Sequence, residues 1–160
     1  MFFWFFPAAE SPETAPVVIW LQGGPGGSSM FGALKLHGPV ITTTDENNNL
    51  NGSTHNQWTW QRRHNVIYID NPVGAGVPDI FNDYISETHT LGFSFSDKLP
   101  TTNDDVTDNL YEFLQQWYKL FPEYQSNPFY PFGESYAGKF VPAIVKRVHE
   151  MNEAGGDNIK

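Results

Sequence analysis

Apolar positions along the chain fall into two kinds of run, and their alternation predicts the order of elements. The first kind is short and continuous. Val17-Val-Ile-Trp-Leu21 is apolar and β-branched between a Pro-rich loop and a glycine cluster, the pattern of a strand covered on both faces. Asn65–Ile69 reads as the next strand, and Asn127–Phe132 as a further buried one. Met1–Phe6, cut short by Pro7, reads as a strand whose upstream partners are missing. The second kind is periodic. Val106, Leu110, Phe113, Leu114, Trp117 and Phe121 mark one face of a helix. That helix starts in the cap-rich Thr101–Val106 segment and is closed by Phe121-Pro122. Lys139–Val148 repeats the helical spacing and trails into Ala154-Gly-Gly156, while Ser28–His37 predicts a short helix stopped by Gly38-Pro39. The polar stretches Glu10–Pro16, Thr42–Asn49 and Asn47–Asn56 predict loops. The order strand, glycine loop, strand, helix, strand, sharp turn, helix is that of an α/β protein with a mostly parallel central sheet.

Composition narrows the function. The 160 residues suffice for one domain at most, and 39% hydrophobic content is enough for a core. Nine basic against eighteen acidic residues give a net charge of −9, which argues against a nucleic-acid or anionic-membrane partner. The charge suits an acidic compartment. With no cysteine there is no disulfide framework and no thiolate metal site. The Phe-rich N-terminus lacks a basic flank and is too short for a signal-peptide core or a membrane span, so no signal peptide is visible. No cofactor is called for. Gln22-Gly-Gly-Pro-Gly-Gly-Ser-Ser29 has no Lys after its glycines, so it is no P-loop, and Ser29 stands where a dinucleotide-binding loop needs its third glycine.

The candidate chemistry centres on Gly133-Glu134-Ser135-Tyr136-Ala137-Gly138. A serine on a strand-to-helix turn with small residues two before and two after is the nucleophile-elbow arrangement. Such a hydroxyl stands clear of the sheet, where a base can deprotonate it for attack on a carbonyl. The bland alternative is a strand–helix connection with no chemistry. The glycine loop admits two readings in the same way: a plain turn, or backbone N–H groups turned toward a developing oxyanion.

Three stretches together resemble the serine carboxypeptidases of the α/β-hydrolase fold. They are Trp20–Ser29, Asp70-Asn-Pro-Val-Gly-Ala-Gly76 and Gly133–Gly138, with Met1–Pro7, Asn56–Trp60 and Phe121–Tyr124 in agreement. The likeness is greatest to the vitellogenic-like members, and it extends over the chain except Val77–Leu91. It implies the N-terminal portion of an α/β-hydrolase peptidase domain over residues 1–160, incomplete, with residues 77–91 as an atypical insertion. By the same resemblance Ser135 is the nucleophile, and the N–H groups of Gly24 and Tyr136 form the oxyanion hole. Gln22, Gly23 and Glu134 bind the free carboxylate of a peptide or protein C-terminus. The family setting is secreted or lysosomal, where the Asn51-Gly-Ser53 sequon would accept a glycan.

Three departures bear on activity. Where the family has a second carboxylate on the helix after the glycine loop, this chain has Leu36, with Lys35 one residue away. Residues 77–91 interrupt a motif that is continuous in the family. The triad is also incomplete. After Ser135 the chain has only His149, with Asp157 behind it in the wrong order. Fourteen residues of helix put His149 roughly 20 Å from Ser135, whereas a base must lie within roughly 3 Å of its proton. His37, His55, His64 and His89 read as surface or loop histidines. The readings are therefore a serine-type carboxypeptidase fragment, a catalytically inactive truncated form or pseudoenzyme that at most binds peptide, and an acyltransferase relative using the same elbow.

Overall fold

A computed structural model describes residues 1–74, 93–156 and 158–160; the insertion at 77–91 lies outside them. Four strands form one sheet. β1 (Phe3–Phe6) lies at one edge, then β5 (Asn65–Ile69), β2 (Val17–Leu21) and β6 (Phe129–Gly133). The last three are parallel, and β1 runs antiparallel to β5. Beside the sheet lie the hairpin β3 (Val40–Thr44) and β4 (Leu50–His55), the helices α1 (Asn103–Leu120) and α2 (Ala137–Glu153), and short helical turns at Gly32–Leu36, Trp60–Arg62 and Pro122–Tyr124.

The period-two alternation of β2 and β5 explains why both are apolar on both faces, Asn65 excepted. Val17, Ile19 and Leu21 of β2, with Ile67 and Ile69 of β5, pack against Leu110, Leu114 and Trp117 of α1 and Phe140 and Ile144 of α2. Val18, Trp20, Val66 and Tyr68 point the other way, onto Met30, Ala33 and Trp60. All ten residues of the two strands are buried. α1 begins with a capping box in which the Thr102 hydroxyl accepts from the Asp105 N–H and the Asp105 carboxylate accepts from the Thr102 N–H.

Four expectations are corrected. The polar stretch after Pro39 is largely a two-stranded ribbon, not a loop, with β3 and β4 pairing antiparallel. Its turn is built by Asp45, whose carboxylate accepts from the N–H groups of Asn47 and Asn49, and by Asn48 at φ 63°. Exposed on the surface, this hairpin carries little apolar alternation to betray it. β6 is not a buried strand. It is an edge among the described residues, and Tyr130 and Phe132 are exposed. The predicted helix at Ser28–His37 is largely a π-helical turn, Gly32–Leu36, closed by the His37 N–H on the Gly32 carbonyl at 3.0 Å. Finally, His37 is not a surface side chain: it lies in the connection just after the π-helical turn, but Trp20, Trp60 and Tyr68 enclose it.

Candidate active site

The register of β2 against β6 builds the site. Leu21 pairs with Gly133, so residues 22–24 and 134–136 leave the sheet side by side. At the elbow Ser135 has φ 59°, a left-handed conformation that costs a non-glycine residue on the order of 1–3 kcal/mol. The demand for small neighbours follows from space. A Cβ on Gly133 would stand 2.5 Å from the Ala137 Cβ and 2.8 Å from the Leu21 carbonyl oxygen. Ser135 is exposed.

The glycine loop lies directly against this turn. A Cβ on Gly23 would meet the Glu134 carbonyl oxygen at 2.7 Å, the Ser135 Cβ at 2.8 Å and the Tyr136 nitrogen at 2.9 Å. Gly24 follows at φ 120°, open to a glycine and strained for any other residue. Neither the Gly24 nor the Tyr136 N–H donates to a loop, turn or cap acceptor among the described residues. Both donors remain available beside the serine.

Gln22 links the loop to the elbow. Its Oε1 accepts from Trp20 Nε1 at 3.1 Å, and its Nε2 donates to the Glu134 carboxylate at 2.5 Å. The loop is held from below by Asp70, a fully buried carboxylate. Asp70 accepts from the Ser28 hydroxyl at 2.7 Å, the Ser29 N–H at 2.9 Å and the Phe93 N–H at 2.7 Å. In the sequence Asp70 stands out only as the first residue of the Asp70–Gly76 motif. Its support of the glycine loop depends on a contact across 41 residues that no local pattern announces.

Two clefts flank Ser135. One, of about 490 Å³, is lined by Gln22, Met30, Phe31, Leu34, Lys35 and Glu134 among others. The other, of about 420 Å³, includes Pro25, Pro72, Thr102, Tyr136 and Phe140. Leu36 lines neither, whereas Lys35 reaches the first. In a turn closed from i to i+5 the residues fan out differently from the α-helical phase on which the two positions were compared.

The structure brings Gln22, Gly23, Gly24, Glu134, Ser135 and Tyr136 together, and leaves Asn51 apart on exposed β4. Among the described residues no histidine shares a hydrogen bond with the Ser135 hydroxyl, and His149 lies near the far end of α2. His37 is committed elsewhere: its Nδ1 meets the Tyr68 hydroxyl at 2.9 Å and its ring stacks on Trp60 at 3.9 Å. Burial pushes its pKa down to about 4 and pushes that of Tyr68 up. No group of metal-ligating side chains occurs among the described residues.

The profile of the serine carboxypeptidase family matches residues 1–160, the whole chain. The chain belongs to the serine carboxypeptidase family. A probable serine carboxypeptidase, CPVL, of Homo sapiens is 47% identical over 95% of this chain and 28% of its own length. A vitellogenic carboxypeptidase of Aedes aegypti is 41% identical over all of this chain and 30% of its own. Among solved structures, Kex1(delta)p, a prohormone-processing carboxypeptidase from Saccharomyces cerevisiae, superposes with a TM-score of 0.74 at 31% identity, over 94% of this chain and 29% of that one. The chain thus spans under a third of the length of these serine carboxypeptidases. The resemblance drawn from the three motifs holds, and the architecture is that of the α/β-hydrolase fold.

Proposed function

We propose that this chain carries the nucleophile, the oxyanion hole and the carboxylate-binding cluster of a serine-type carboxypeptidase acting on peptide or protein C-termini. One observation carries the reading: the loop of Gly23 and Gly24 packs on the elbow while Gln22 grips Glu134 one residue before Ser135. In the reaction the Ser135 Oγ adds to the carbonyl carbon of the last peptide bond as its proton passes to a base. The resulting oxyanion is received by the Gly24 and Tyr136 N–H groups. Collapse expels the C-terminal residue as an amine, which takes up the proton and leaves an ester on Ser135. Water then cleaves the ester, releasing the shortened peptide and restoring the hydroxyl.

The substrate's free carboxylate would rest on Gln22, the Gly23 N–H and Glu134. A carboxyl group and a carboxylate can share a hydrogen bond only through a proton, so this site favours acidic pH and a secreted or lysosomal setting. The exposed sequon at Asn51 agrees with that setting. The base is to be sought outside the described residues, and without it Ser135 retains only binding and oxyanion effects.

Two measurements test the reading. A peptide with a free C-terminal carboxylate is expected to bind more tightly at about pH 5 than at about pH 7, and more tightly than its amide; equal binding of acid and amide would overturn it. An organophosphate serine reagent is expected to leave Ser135 of the 160-residue chain unlabelled, whereas stoichiometric labelling would show a base already in place.

A further inference from the structure

The cleft beside Glu134 has a wall the carboxylate-binding reading does not use. Met30, Phe31 and Leu34 give it an apolar surface, and Lys35 is the one cation among its lining residues. Its volume, about 490 Å³, falls within the roughly 300–1,000 Å³ of small-ligand sites. The Lys35 Nζ donates to the Thr42 carbonyl at 3.3 Å, which leaves two of its three donors. It makes no ion pair among the described residues. An ammonium beside apolar side chains attracts an anion more strongly than one in open water.

We propose that Lys35 makes this cleft selective for a C-terminal residue with an acidic side chain, aspartate or glutamate. The proposal rests on the reading that Gln22, Gly23 and Glu134 hold the α-carboxylate. From there the side chain of the last residue enters the cleft along Met30, Phe31 and Leu34, and its carboxylate meets the Lys35 ammonium. Because the chain as a whole carries a charge of −9, its general field repels acidic peptides. A preference for them must therefore come from a local cation. Leu36, 43% exposed and outside the cleft, has no part in it.

The test is fluorescence anisotropy of labelled peptides that differ only in their last residue, Glu, Gln or Lys, with the Gln peptide also made as its amide. At about pH 5.5, where a glutamate side chain is ionised, the chain is expected to bind the Glu peptide about threefold to fivefold more tightly than the Gln peptide. The gap closes in Lys35→Met and in about 0.5 M salt, and Lys35→Glu moves the preference to the Lys peptide. Lys35 is exposed, so these variants leave the core intact, and circular dichroism checks that they do. Equal affinity for the Glu and Gln peptides while the amide binds more weakly overturns the Lys35 assignment alone. So does Lys35→Met weakening both acids by the same factor, which would place Lys35 on the α-carboxylate. Equal binding of the Gln peptide and its amide, or no saturable binding, removes the underlying reading and this proposal together.

Discussion

Lowering the pH should destabilise this protein through one buried side chain, His37. It is only 8% exposed, stacked on Trp60, and its Nε2 has no partner among the described residues. Burial therefore disfavours the imidazolium and lowers the pKa from the ordinary 6.5 to about 4. The sign follows from which state takes up the proton. Between pH 6.5 and about 4 the unfolded chain is protonated at this residue and the folded chain is not. The contribution to stability is thus complete above 6.5 and is lost as pH falls toward 4. At roughly 1.4 kcal/mol for each pH unit, the full loss is about 3.5 kcal/mol, a large share of the 5–15 kcal/mol typical of a domain. Urea unfolding of wild type and His37→Asn at about pH 7, 5.5 and 4.5 measures it. The asparagine keeps a polar group toward Tyr68 but cannot be protonated. Glu10, held low by its hydrogen bond to Arg62, and Asp45, held low by the Asn49 N–H, also lose stability in acid. They are present in both proteins and cancel. The wild-type curve should fall more steeply than the variant's through this window. Parallel curves would refute the reasoning and would mean that the folded protein accommodates a charged His37.

Two predictions concern the elbow. Ser135→Gly releases the strain of φ 59° against the greater unfolded-state freedom of glycine, for a net gain of about 1 kcal/mol. A lower urea midpoint for the variant would contradict this. Gly23→Ala forces a methyl group onto backbone atoms of Glu134 and Tyr136 and the Ser135 Cβ, costing about 1–3 kcal/mol and displacing the elbow. Unfolding midpoints and peptide affinity should both decline, and unchanged affinity would show that the two loops move independently.

What was legible in the sequence followed from how local its cause is. The elbow could be read because Gly133, Ser135 and Ala137 answer to one turn, and α1 because its apolar face and capping box lie within a few residues of each other. The β3–β4 hairpin could not be, since β4 is exposed and mostly polar, β3 is only half-buried at Ile41 and Thr42, and its turn depends on Asp45 capping its own neighbours. His37 escaped notice because its burial is the work of Trp20, Trp60 and Tyr68, brought together only by the sheet. The choice between Lys35 and Leu36 turned on a helical phase that the π-helical turn changes.

Pro131 gives the register of β6 a consequence for the proposed site. The Glu134 N–H bonds to the Leu21 carbonyl, so the even-numbered residues of β6 donate to β2 and Pro131, with no N–H, faces the open edge. Sliding β6 by one residue would turn the proline inward and leave a carbonyl of β2 without its donor. That slide would also carry Ser135 about 3.3 Å past the glycine loop. A proline four residues upstream of Ser135 thus acts as a stop on a sliding scale, and the alignment of Ser135 with Gly24 is held at a position with no polar side chain of its own.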